Sequence, residues 1–182
     1  GGCGIVCALN AIKYKEKEIG LVVEGIAGNI KFYSGELKIA EPSSIPIIKV
    51  LKSRIEESED TIIDSPPGTS CSMIESVSNS DFCILVTEPT PFGLNDLSMT
   101  VSVLDEIGLQ YGVIINRSGI GNDNVSNFCK EKDIEVLMNI PFSREIAVSY
   151  SKGESIIHAF PEYRDRFEEL LNKVQERIEN KR

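Results

Sequence analysis

The chain is 182 residues long with 41% hydrophobic content, enough for one good core and at most a small appendage beside it. A formal net charge of −9 argues against a nucleic-acid-binding surface, which needs clustered Lys and Arg. No apolar run approaches the roughly 20 residues that span a bilayer and no charged-then-apolar leader is present, so the expectation is a cytoplasmic protein with no membrane partner.

The opening run GGCGIVCALNAI places Cys3 and Cys7 four residues apart, with Ala11-Ile12 following. With five cysteines in the chain, an odd number, and Cys71, Cys83 and Cys129 in core-like or helical surroundings, a disulfide framework is not expected. Because the first residue is Gly1 rather than Met, the chain is expected to be a piece of a longer protein. From Ile19 to Ile39 apolar runs alternate with Gly- and Asn-containing turns, which predicts two or three short strands closing a small sheet.

Glu41-Pro42-Ser43-Ser44 offers an N-cap and Pro46 suits a first turn, for a helix with Ile47, Leu51 and Ile55 on one face that ends by Ser58. The β-branched run Thr61–Ile63 then predicts a buried strand, broken by Pro66-Pro67-Gly68, with Asp64 at its carboxyl end. A helix of about ten residues from Ser70 carries Met73 and Val77 inward. Strand Phe82–Thr87 follows, then a helix with Leu94, Leu97, Val101 and Leu104 on one stripe, strand Tyr111–Ile115, a helix near 122–132 and strand Ile134–Met138. Strands alternating with helices of this length predict an α/β fold: a parallel twisted sheet with right-handed crossovers and helices on both faces. From Pro161 onward, Phe167, Leu170, Leu171, Val174 and Ile178 form one stripe. Six acidic and six basic residues balance there, so this helix is expected to dock on the core rather than lie on anionic lipid.

Ligands of open α/β sheets gather at the carboxyl ends of the strands. An aspartate at such an end can hold Mg²⁺ through its water shell, and a glycine N–H can approach a phosphate with no Cβ in the way. Asp64 and Gly68 meet both needs, and an Asp-Ser-Pro-Pro-Gly turn with no ligand meets the local pattern equally well.

The segment Asp64-Ser65-Pro66-Pro67-Gly68 resembles the D-x-P-P-G stretch of the MinD/ParA/Mrp group of P-loop ATPases. The resemblance implies that Asp64 serves the Mg²⁺ of bound ATP or ADP and that Pro67 and Gly68 lie near the γ-phosphate, as the catalytic end of the site. Ile115-Asn116-Arg117 is similar to the group's I-N-R, in which the asparagine reads the adenine edge, a task suited to its paired donor and acceptor. Ile140-Pro141-Phe142-Ser143 resembles the I-P-x-S loop whose backbone lies against base and ribose. Glu88-Pro89-Thr90-Pro91-Phe92-Gly93 resembles the E-P-T-P-F-G loop of the subgroup that carries an inserted ferredoxin module; its two prolines and glycine suit either part of a partner-sensing rim at the same edge or a rigid connector.

In that frame Cys3 and Cys7 match the last half of a C-x2-C-x2-C-x3-C-P run that holds a 4Fe–4S cluster, with Ala8 where the proline stands. The resemblance divides the chain into residues 1–17, a remnant of the ferredoxin module, and residues 18–182, the C-terminal part of a MinD-like nucleotide-binding domain. It implies a homodimer, and an iron–sulfur or metalloenzyme partner. The group's Gly-Lys-Thr/Ser phosphate loop does not occur in these 182 residues, so the P-loop fold would be incomplete and this chain alone inactive. The competing expectation is a non-catalytic α/β partner-binding or dimerisation module.

Overall fold

A computed structural model describes residues 2–9, 11–56 and 59–180. It divides into two compact units, Gly1–Pro66 and Pro67–Arg182.

The first unit opens with one helical turn, α1 (Gly2–Ile5). Its body is an antiparallel hairpin, β1 (Gly20–Ala27) with β2 (Ile30–Leu37). The turn between them is made by Gly28 at φ 60° and Asn29, and a left-handed residue at that point matches the twist of the flanking strands. Helix α2 (Ile45–Lys52) has Pro46 in its first turn and lies against one face of the hairpin. Gly20 and Gly35 make this approach possible: a Cβ on either would fall 2.5 or 2.4 Å from an Ile47 methyl. The opposite face, which Leu21, Val23, Ile30 and Phe32 share by register, stays about half exposed or more. Exposed ion pairs, Lys31 with Glu56 and Glu59 and Arg54 with Glu24, fasten the α2 side to the strands. Helix α2 is shorter than expected. It stops at Lys52, so Ile55 lies beyond it, and the expected limit at Ser58 falls outside the described residues.

The predicted strand at Thr61–Ile63 is the main correction. These residues are coil, Ile62 is 95% exposed, and they join no ladder. β-Propensity measures how well a side chain fits a pleated, half-buried surface, and without a neighbouring strand and a covering layer it does not by itself make a strand.

The second unit is the predicted α/β body. Helix α3 (Cys71–Val77) starts at Ser70, whose hydroxyl accepts from the Met73 N–H, and buries Met73 and Val77. Strands β3 (Cys83–Thr87), β4 (Tyr111–Ser118) and β5 (Val136–Pro141) form a parallel sheet in that order. Between them run α4 (Pro91–Ile107) and α5 (Asn124–Glu131), and after them come α6 (Arg144–Ser151), α7 (Ile156–Ala159) and α8 (Tyr163–Glu179).

Alternation along β4 sends Val113 and Ile115 to one face, where Leu97, Val101, Val125 and Cys129 of α4 and α5 close a core. Met73, Val77 and Leu104 extend that layer over the start of the sheet. Ile114 points the other way and meets Leu137, Met138 and Leu170, so α8 docks on the sheet as its apolar stripe predicts. Helices therefore cover both faces. No helix among the described residues is long and apolar enough to cross a membrane.

Candidate functional site at the carboxyl edge of the parallel sheet

Parallel pairing brings the loops after Thr87, β4 and β5 to one edge, and the chain ties them to one another. After β3 the Thr87 hydroxyl donates to the Gly93 carbonyl at 3.0 Å, while Thr90 caps α4 by accepting from the Gly93 N–H at 3.0 Å. Gly93 is required: a Cβ there would lie 2.3 Å from the Glu88 carbonyl oxygen. The loop after β4 leans on this one, since a Cβ on Gly121, at φ 80°, would meet the Pro89 carbonyl at 2.1 Å. The loop after β5 is joined by the Phe142 N–H donating to the Ser118 carbonyl at 2.9 Å.

The end of β4 is irregular in a specific way. Ile115 pairs with Asn139 and Ser118 with Pro141, so β4 holds one residue more than β5 over this stretch. That is a β-bulge at Asn116-Arg117, a device that bends the strand and re-aims a side chain. Arg117 adopts φ 52°, a left-handed conformation that costs a non-glycine residue roughly 1–2 kcal/mol. Two contacts hold it. The Asn116 Oδ1 accepts from the Arg117 N–H at 2.9 Å, and the Arg117 guanidinium lies 3.3 Å from the Glu88 carboxylate at the end of β3.

Beyond β5, Ser143 accepts from the Ile146 N–H as the cap of α6 and its hydroxyl donates to Glu145 at 2.6 Å. That hydrogen bond holds the Glu145 carboxyl below its ordinary value. An open cavity of about 410 Å³ lies next to this loop, lined by Arg144, Val148, Lys152 and Phe160 among others. Neither Asn116 nor Pro141 lines it, and its charges are of mixed sign, so the ligand argument rests on the strand-end loops.

The sequence-derived site residues fall into two groups. Asn116, Arg117, Pro141 and Phe142 meet at one sheet edge. Gly68, at φ 84°, and Pro67 sit in the loop that leads to Ser70, at the start of the second unit. Nothing crowds Gly68, so its positive φ alone calls for glycine. Asp64 is exposed in the first unit and lies within coil rather than at the end of a strand. The Glu88–Arg117 pair and the bulge were not read from the sequence. The one local hint is the Ser118-Gly119-Ile120-Gly121 turn, whose two glycines both take positive φ.

Cys3 is exposed and Cys7 half-buried, and neither is in a disulfide. Among the described residues no group of three or more His, Cys, Asp or Glu side chains is placed to hold a metal. Burial pushes the Cys83 and Cys129 thiols up, away from the reactive thiolate.

No family model matches the chain. Over 177 residues it is 30% identical to an uncharacterized protein of Methanocaldococcus jannaschii, MJ0579, covering 95% of this chain and 61% of that protein. A second uncharacterized protein of the same organism, MJ0578, is 27% identical over 165 residues, 90% of this chain and 57% of that one. The chain thus spans about three fifths of the length of these curated relatives. Among solved structures, the cell division ATPase MinD of Pyrococcus furiosus superposes with a TM-score of 0.56 at 26% identity, covering 79% of this chain and 60% of that one. The MinD cell division protein of Aquifex aeolicus gives 0.57 at 20% identity over 74% of this chain and 63% of its own, a likeness of fold alone. The chain therefore has a MinD-type α/β fold, the fold of a P-loop ATPase.

Proposed function

We propose that this chain is the C-terminal part of a MinD-like ATPase and that its nucleotide lies over the carboxyl edge of β3, β4 and β5. The observation that carries this reading is the bulge that sets Asn116 at the end of β4, beside the Pro141-Phe142 loop, in a fold shared with the MinD ATPases. Asn116 takes the adenine edge. Its Oδ1 already accepts one hydrogen bond and has a second lone pair, while its amide hydrogens are the donors for a ring nitrogen. The Pro141-Phe142 backbone flanks base and ribose, and the N–H of Gly68, a residue with no Cβ, approaches the terminal phosphate.

Asp64 suits Mg²⁺ as an exposed hard oxygen donor, of the kind this ion takes singly beside phosphate oxygens. Bound Mg²⁺ would neutralise charge on the phosphates. Catalysis of phosphoryl transfer is mostly positioning and charge stabilisation, so the phosphate-loop amides and lysine have to come from sequence outside these 182 residues.

In the same reading residues 1–17 are the remnant of a ferredoxin module and 18–182 the ATPase body, the whole protein acts as a homodimer, and ATP hydrolysis is coupled to iron–sulfur or metalloenzyme maturation, electron transfer or partner positioning. Cys3 and Cys7 supply two of the four thiolates a 4Fe–4S cluster takes. Two thiolates do not fit such a cluster by themselves.

The test is a titration of the chain with adenosine and with Mg·ATP, followed by amide NMR. Adenosine is expected to move the signals of Asn116 and Phe142, and Asn116→Ala to remove the effect. Phosphate release is expected at background, unchanged in Asp64→Ala. Perturbation confined to the α6–α7 cavity, or Mg²⁺-dependent turnover lost in Asp64→Ala, would overturn the reading.

A further inference from the structure

We propose that Arg117 is a positioning residue for base recognition: clasped to Glu88 across the ends of β3 and β4, it holds the left-handed bulge that aims Asn116, and purine discrimination depends on this pair. The inference rests on the reading of Asn116 as the base contact.

Three observations carry it. Arg117 holds a backbone conformation that its side chain disfavours, at φ 52°, and such a residue persists only where its surroundings over-determine it. The restraint comes from both ends of the residue: its N–H is bound by Asn116 Oδ1 at 2.9 Å and its guanidinium by Glu88 at 3.3 Å. Glu88 is itself fixed, because its carbonyl oxygen abuts Gly93 and the next residue's carbonyl abuts Gly121, so the carboxylate projects from a loop with little freedom to follow the arginine. The ion pair thus anchors the bulge to β3, and the bulge orients the Asn116 amide through the hydrogen bond that Arg117 donates. A glycine would take the left-handed conformation without strain. An arginine there is accounted for by its side-chain partner.

Adenine and guanine differ at the edge an amide can read, adenine offering a donor where guanine offers an acceptor. An Asn116 amide held in one orientation distinguishes the two, and one free to flip accepts both. The Arg117 N–H decides the orientation, because it needs the oxygen and not the nitrogen.

Glu88→Gln removes the charge and keeps the shape. Arg117→Gly relieves the backbone and removes the guanidinium. Asn116→Ala tests the underlying reading. The reporters are the Asn116 side-chain amide signals, the exchange rate of the backbone amide at position 117, and the adenosine-over-guanosine preference by NMR titration of the whole 182-residue chain. In Glu88→Gln and Arg117→Gly the amide exchange is expected to quicken and the preference to fall roughly two- to fivefold, the range of an exposed ion pair.

If both variants keep the Asn116 signals, the exchange rate and the preference, while Asn116→Ala abolishes the preference, the positioning role is overturned and the base contact stands. If Asn116→Ala changes nothing, the base contact and this inference fall together. Should neither nucleoside bind, the ligand-free signals decide: an Asn116 amide unmoved by Glu88→Gln overturns the clasp.

Discussion

The two units reach order by different means. Beyond Pro67, Leu104, Val113, Val125 and Cys129 are removed from water on one side of a sheet and Ile114, Leu137 and Leu170 on the other. In the unit before it, the buried apolar residues among those described are Ile47 and Ile48, and one hairpin face carries Leu21, Val23, Ile30 and Phe32 into solvent. Among the described residues its ion pairs, such as Lys31 with Glu56 and Lys38 with Glu18, are solvent-exposed and add little. The difference bears on function because the chemistry read from the sequence is split between the units. Asp64 belongs to the weakly buried one and Asn116 to the well-packed one, so the proposed base contact stands on a packed strand and the proposed Mg²⁺ contact on an exposed coil.

The largest expected effect comes from emptying the better core. Leu104 is fully buried beneath α3, and Leu104→Ala should cost about 2–5 kcal/mol in urea unfolding. The loss should appear in amide exchange of β3, β4 and β5 and leave the hairpin β1–β2 unchanged. A loss of protection in both units together would show that they unfold as one.

The reciprocal variant is Ile47→Ala. Ile47 fills the space that Gly20 and Gly35 leave open, so truncation opens a gap worth about 2 kcal/mol, at the low end of buried aliphatic deletions because the cluster is small. Hydrogen exchange should quicken in β1, β2 and α2 and stay slow at Val113 and Ile115. Were Val113 to exchange faster, the hairpin would be contributing stability to the sheet.

The same contrast explains what could be read from the residues. β-Branched and apolar runs at 82–87, 111–115 and 134–138 were legible as strands because each fits a pleat that helices cover, although the strands run 83–87, 111–118 and 136–141, and α4 and α8 were legible because their stripes match a face. Thr61–Ile63 has the same composition and fails as a strand, since pairing and burial are non-local and no residue type encodes them. Asn116 was legible as a polar strand end. The bulge beneath it was not, because it depends on the register of β4 against β5 and on Glu88, which is 29 residues away in the chain.

A smaller effect is expected at the site rim. In Gly121→Ala the added methyl meets the Pro89 carbonyl and the residue must hold φ 80°, a combined cost of about 1–3 kcal/mol. Since that loop flanks the bulge, urea stability should fall modestly while the signals of Asn116 and Arg117 shift well beyond those of β5. A neutral variant would mean that the two loops yield freely and that the rim is less rigid than its contacts make it.

The smallest effect is a titration at the opposite end of the sheet. Tyr111 opens β4, and burial first, then the hydrogen bond its hydroxyl donates to Asp105 at 2.6 Å, pushes its pKa up to about 12. A neutral phenol is favoured in the folded chain, so this group's contribution to stability is complete below about pH 10, the ordinary tyrosine value. It is lost as pH rises from there through 12. The Tyr111 ring carbon signal should therefore titrate near pH 12. In Asp105→Asn it should move part of the way back and no further, because burial is the larger cause and survives the substitution. A return to the ordinary tyrosine value in that variant would assign the shift to Asp105 alone, and would show that the start of β4 is wetter than the packing of Tyr111 against Leu104 and Val77 implies.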